Sequence, residues 1–134
     1  MPQLTSALRE NVIRRLSEWP GMVFAVLYGS AVDGEQYRDL DIGVWVDRAA
    51  VPPQRDIDYA FDLMDALAPL SPVPVDVRVI NDAPLAFRYN VSRGQALVVN
   101  DPAAWYAFLE RTWDEWWDFE PVAMRYLRDL ACRP

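Results

Sequence analysis

The sequence contains no histidine, and its thirteen basic residues are all arginines, so lysine is absent too. Without histidine there is no His-based zinc site, no imidazole general base and no Ser-His-Asp relay. Without lysine there is no Walker A lysine and no Schiff-base chemistry. The lone cysteine, Cys132, cannot form an internal disulfide, which fits a reducing compartment; a cytoplasmic location is the expectation. Positive charge is scarce: the formal net charge is −7, which argues against a stable nucleic-acid footprint. The longest apolar run, MVFAVLY at 22–28, is too short to span a bilayer, so no membrane association is expected. The first residues, MPQLTSALREN, lack a basic stretch followed by an apolar one, so no secretory signal is predicted. No repeat or low-complexity tract is visible. Any catalysis must therefore use carboxylates, hydroxyls, arginines, backbone amides or a bound metal.

What remains is ample for a core. The chain has 134 residues, 52% of them hydrophobic, which suits one domain over residues 1–134. Leu4, Leu8, Val12 and Leu16 recur at helical spacing over 4–18, before Pro20-Gly21. The run 22–28 reads as a strand buried on both faces, and Gly29-Ser30 starts a turn leading to a short helix. Strict alternation over 40–46 puts Leu40, Ile42, Val44 and Val46 on one face and Asp41, Gly43 and Trp45, with the preceding Asp39, on the other. Ile57, Phe61, Met64 and Ala68 keep the spacing of a helix that starts after Pro52-Pro53 and stops at Pro69. VPVDVRVI at 73–80 is a third strand, with Asp76 and Arg78 on its polar face. Asn81 or Asp82 is the predicted cap of a short helix from about Pro84 to Gly94, and 95–99 is a fourth strand. Asp101-Pro102 opens a helix to about Asp118, and Pro121 predicts a restart, giving C-terminal helices at about 102–131. The fold class is α/β (α+β), a small mixed sheet flanked by helices, without the GxGxxG of a dinucleotide fold.

The chemistry-bearing residues cluster around the first turn. Gly29 permits a tight turn, and Ser30 brings a hydroxyl and an amide suited to an anion. Asp39 and Asp41 share one strand face, and such oxygen donors suit Mg²⁺ held jointly with substrate phosphates. A two-metal site needs a further carboxylate from a neighbouring strand, and Asp76 is the candidate; it is also a candidate proton acceptor.

The run GSAVDG, then DLD and apolar residues, then VDV, resembles the nucleotidyltransferases of the DNA polymerase β superfamily. INDAPLAFRYNVSRGQALVVND and the terminal FEPVAMRYLRDL resemble segments of minimal nucleotidyltransferases, the MNT-type antitoxins paired with HEPN-domain toxins. The resemblance covers most of the chain; its specific part is GS, DxD and a later D. It implies a turn at Gly29 and Ser30 that binds the nucleotide. It also implies that Asp39, Asp41 and Asp76 are catalytic and bind two Mg²⁺ ions. ATP would be the substrate, a tyrosine of a cognate HEPN toxin the acceptor, and transfer of AMP the reaction. Two alternatives stand beside it: an inactive antitoxin that neutralises its partner by binding alone, and a small-molecule adenylyltransferase. Arg38 departs from the pattern, since serine is common there; it could pair with Asp39 or reach a phosphate.

Ordinary roles compete elsewhere. Gly34 reads as a turn glycine, and Asp33 and Glu35 as solvated. Arg78 reads as a phosphate ligand or as the partner of a carboxylate; Arg88 and Arg93 are weaker candidates, Arg93 reading as a helix-end cation. Trp105, Leu109, Trp113 and Trp116 form a helical stripe, in which Trp105 and Trp113 are assigned to the core. Trp116 and Trp117 are divided between core and interface.

Overall fold

The computed structural model describes residues 5–33 and 38–131. Leu4, Gly34, Glu35 and Cys132 lie outside them.

Helix α1 (Ser6–Ser17) is capped by Thr5, whose hydroxyl accepts the Leu8 amide at 3.2 Å, and it buries Leu8, Val12 and Leu16. Strand β1 (Met22–Tyr28) leads through Gly29 into one helical turn, α2 (Ser30–Asp33). Strand β2 (Leu40–Val46) is followed by a 3₁₀ turn at Pro53–Arg55 and by α3 (Asp56–Leu67). Strand β3 (Val75–Val79), α4 (Leu85–Ser92), β4 (Gln95–Val99) and a long final helix, α5 (Pro102–Ala131), complete the chain. No described helix is long and apolar enough to cross a membrane.

The sheet order is β3-β2-β1-β4, with β1 antiparallel to both neighbours and β2 parallel to β3. The parallel pair needs a crossover, and α3 supplies it. Helices α1 and α3 cover one face, against Ala25 and Leu27 of β1 and the Leu40, Ile42, Val44 and Val46 face of β2. Helices α4 and α5 cover part of the other, against Phe24, Val26 and Tyr28. Burying each large aliphatic side chain contributes roughly 1.5–3 kcal/mol, so these two layers carry the fold.

The structure differs from the sequence reading at four points. The buried stripe of α3 is Tyr59, Ala60, Leu63 and Leu67; Ile57, Phe61 and Ala68 are exposed and Met64 is only half-buried. The helix carries apolar residues on two faces, and spacing alone does not say which meets the sheet. Tyr59 decides it in part, since its hydroxyl donates to the Pro20 carbonyl at 2.9 Å.

Neither Asn81 nor Asp82 caps α4, whose N-cap is Pro84 without a side-chain bond. Asn81 instead accepts from the Val46 amide and donates to the Val46 carbonyl, at 3.0 and 2.9 Å, and Asp82 takes Arg48.

Helix α5 does not restart at Pro121 but runs through it. Proline removes one amide and frees one carbonyl a turn earlier. This stretch is exposed, so water can satisfy that carbonyl. At the helix start Asp101 does act as expected, accepting from the Ala104 amide at 3.3 Å.

Phe108 and Thr112 are the buried residues of α5, with Trp105 packed beside them. Trp113, expected in the core, is 39% exposed, though its indole N–H donates to the Ser92 hydroxyl. Trp116 is half-buried and stacks on Tyr89 with centroids 4.1 Å apart, whereas Trp117 is exposed.

Candidate active site

Tyr28 of β1 pairs with Asp41 of β2, and Asp41 pairs with Asp76 of β3. Directly opposed residues on neighbouring strands point to the same face. A phenol and two carboxylates therefore form one row across the sheet, on the face that α4 and α5 partly cover. Asp39 lies just before β2, is exposed, and remains at the rim. Among the described residues no three acidic side chains converge closely enough to hold an ion as they stand. The strands thus bring Asp41 and Asp76 together, and leave Asp39 at the edge of the pair.

Gly29 closes the row on the β1 side. Its φ is +78°, a conformation that side-chain-bearing residues rarely adopt. A Cβ there would stand 2.6 Å from Asp41 Oδ2. The turn and the carboxylate therefore touch, and a side chain at Gly29 would have to move the Asp41 carboxylate. Ser30 opens α2, and the Val32 amide donates to the Gly29 carbonyl at 3.2 Å.

Two residues further along the strands, on the same face, lies the row Val26, Gly43 and Arg78. A Cβ on Gly43 would come within 3.2 Å of Ile80 and Val91, so its absence lets α4 settle close to the sheet. Arg78 Nε donates to Asp76 Oδ2 at 3.3 Å, and its guanidinium lies 5.5 Å from the Phe87 ring centre. Of its two readings, the carboxylate pair is the one seen. Phe87 in turn meets Tyr28 edge to face, at 5.6 Å.

The electrostatics follow from this crowding. Asp41 is pushed above the usual carboxylate range, first by burial, then by Asp76 and Asp39, with Arg78 opposing. Burial, then Asp41 and Asp76, push the Tyr28 phenol to about 12, so it stays protonated at neutral pH. The row holds more negative charge than Arg78 balances. Oxygen donors with unbalanced negative charge fit a hard divalent cation.

Arg88 has another task. Its Nε donates to the Ala83 carbonyl at 3.0 Å, and its terminal nitrogens to Thr112 and to the Glu115 carboxylate. It fastens α4 to α5 rather than facing the row. Arg93 is the C-cap of α4 and lies over Tyr89, as a helix-end cation should. Arg38 is exposed and does not pair with Asp39.

Tyr28 and Phe87 are the site neighbours that motif reading missed. Tyr28 carried a signal: it is the last residue of a buried strand directly before the glycine turn.

Solved structures share this fold. A toxin–antitoxin complex MntA–HpeT with two Asp-to-Glu substitutions superposes with a TM-score of 0.70 at 19% identity, over 92% of this chain and 95% of that one. The MNT antitoxin complex with a tri-AMPylated HEPN toxin from Shewanella oneidensis gives 0.68 at 22%, over 93% and 98%. A toxin–antitoxin structure with AMP-PNP gives 0.64 at 20%, over 96% and 100%. At such identities the likeness is one of fold. No curated protein sequence matches the chain. The family model of the polymerase β nucleotidyltransferases matches residues 10–103, which include Gly29, Ser30, Asp39, Asp41 and Asp76. The chain belongs to the polymerase β nucleotidyltransferase family.

Proposed function

We propose that the protein is an antitoxin that transfers AMP from ATP to a hydroxyl of a HEPN-type toxin, a tyrosine in the expected case. The observation that carries this reading is the register of Asp41 opposite Asp76, with Gly29 against Asp41. It supports a phosphate-binding turn and a carboxylate pair meeting at one point of the sheet. The AMPylated toxin bound to one fold relative, and the AMP-PNP in another, support the donor and the partner.

In this mechanism the triphosphate lies at Gly29 and Ser30. Asp41 and Asp76, with Asp39 closing in from the rim, would hold Mg²⁺, in the expected case two ions. A metal held there would supply positive charge to offset the negative charge that develops on the phosphate oxygens. Asp76, at the far end of the row, accepts the proton of the acceptor hydroxyl. The hydroxyl oxygen forms a bond to the α-phosphorus while the α–β bridging P–O bond breaks, and pyrophosphate leaves. Tyr28, protonated, walls the β1 side of the row.

Incubation with labelled ATP, Mg²⁺ and the partner tests the reading. Label should pass to the partner with the wild-type chain and not with Asp39→Ala combined with Asp41→Ala. Transfer that survives the double substitution refutes the site assignment. A second reading, neutralisation by binding alone, draws on the Arg78–Asp76 pair, which occupies the proposed proton acceptor. It prevails if the double variant protects cells as well as the wild type does.

A further inference from the structure

The face of α3 that misses the core has a location of interest. Ile57 is 70% and Phe61 58% exposed, and with Met64 they wall a groove of about 620 Å³ along the outer edge of β3. Asp76, Val77, Arg78 and Val79 form its other side. The groove thus begins at the last carboxylate of the catalytic row and runs away from the nucleotide turn.

Order along the row gives the groove its meaning. Gly29 lies on the β1 side, Asp41 in the middle, and Asp76 on the edge strand. With phosphates at Gly29, an acceptor hydroxyl that gives its proton to Asp76 arrives over the β3 edge. That edge is where the apolar groove lies.

Charge narrows what can occupy it. Asp58, Asp62 and Asp65 flank the apolar residues on α3, are exposed, and form no ion pair among the described residues. Asp56 is engaged by Arg48, Arg78 by Asp76, and Arg55 at the start of the helix is the remaining cation nearby. An apolar floor with an acidic rim complements an apolar side chain between basic residues. A second copy of this chain fits poorly, because its net charge is −7 and two acidic rims would face each other.

We propose that the groove between α3 and the β3 edge docks the acceptor protein, gripping an apolar side chain flanked by basic residues next to the hydroxyl that is modified. The proposal rests on the transferase reading for its orientation, but docking can be measured without transfer.

The test uses the full chain, the cognate HEPN-domain protein, and Mg²⁺ with AMP-PNP as nucleotide probe. Two variants serve: Ile57→Ser with Phe61→Ser, and Asp58→Asn with Asp62→Asn and Asp65→Asn. All five positions are exposed, so the fold should survive. The apolar variant should weaken partner binding, and raise the partner KM, by at least about tenfold. AMP-PNP binding and kcat at saturating partner should stay within about twofold of wild type. The charge variant should weaken the partner less and flatten the salt dependence of its binding. Unchanged partner affinity and KM in both variants would overturn the proposal, as would a wild type that does not bind the partner. So would a wild-type dimer in sedimentation that Phe61→Ser dissociates. If the wild type binds the partner but transfers nothing, the transferase reading fails; loss of affinity in the variants then still supports the docking groove.

Discussion

Gly29 and Asp41 touch: a Cβ on Gly29 would stand 2.6 Å from the Asp41 carboxylate oxygen. The turn proposed to bind phosphate and a carboxylate proposed to bind metal are thus one packing unit. The glycine is needed for its positive φ, and any Cβ there would also push the Asp41 carboxylate from its place.

Gly29→Ala should therefore lose transfer and stability together. The left-handed backbone costs a side-chain-bearing residue about 1–2 kcal/mol, and displacement of Asp41 adds to it. Urea unfolding followed by tryptophan fluorescence, beside a labelled-ATP assay, measures both. An alanine variant with wild-type stability and turnover would show that the contact has no role.

Asp41→Asn should be more stable than the wild type at neutral pH and inactive. Burial, Asp76 and Asp39 raise the Asp41 pKa in the folded chain. A raised carboxyl pKa means that ionisation costs stability. That cost is absent below the unfolded value, 3.8, and fully present above the folded one. The gain in the urea midpoint should therefore appear at pH 7 and vanish below pH 3.8. Mg²⁺ with AMP-PNP should stabilise the wild type and have little effect on Asp41→Asn.

Arg88→Ala should loosen α5 from α4. It removes bonds to Ala83, Thr112 and Glu115 at a guanidinium that is only 11% exposed. A loss of about 2 kcal/mol is expected, kept modest because Glu115 is partly in water. Hydrogen bonds from Arg88, then Arg111, hold the Glu115 carboxyl below its usual value. A lowered pKa contributes stability above the unfolded value, 4.5, and loses it as pH falls through the folded one. That acid-side loss should shrink in the variant, and denaturant midpoints across pH 3–6 would record it.

Pro121→Ala should strengthen the outer part of α5 without stabilising the domain. Proline costs a helix interior about 3 kcal/mol relative to alanine. Phe119, Val122, Met124, Tyr126 and Leu127 are exposed, so that stretch is not packed on the sheet. Amide exchange over residues 117–125 should slow while the unfolding midpoint holds. A clear rise in the midpoint would mean that the helix end supports the core.

Strands were legible from continuous apolar runs and from two-residue alternation, though the alternating run 73–80 overshoots β3 (Val75–Val79) at both ends. The bounds 22–28, 40–46 and 95–99 match β1, β2 and β4, and the face of Asp41 followed from alternation alone. Pairing was not legible: nothing within VDV announces that Asp76 lies opposite Asp41. Helix faces were the weakest point. In α3 two apolar stripes satisfy the same spacing, and tertiary contacts chose the one with Tyr59 and Leu63. In α5 a row of large indoles drew attention from Phe108 and the fully buried Thr112.

The parallel pairing of β2 with β3 makes the site behave like a reading frame. Residues on β3 alternate between the core and the carboxylate row, so a shift of one position would turn Asp76 into the apolar layer and present a valine to Asp41. A shift of two would restore the parity but place Asp41 opposite Pro74 or Arg78, one rung out of step. The crossover through α3 can thus vary in length only where its loops absorb the difference before Val75. Core and chemistry are encoded in the same alternation, and a slip that spoils one spoils the other.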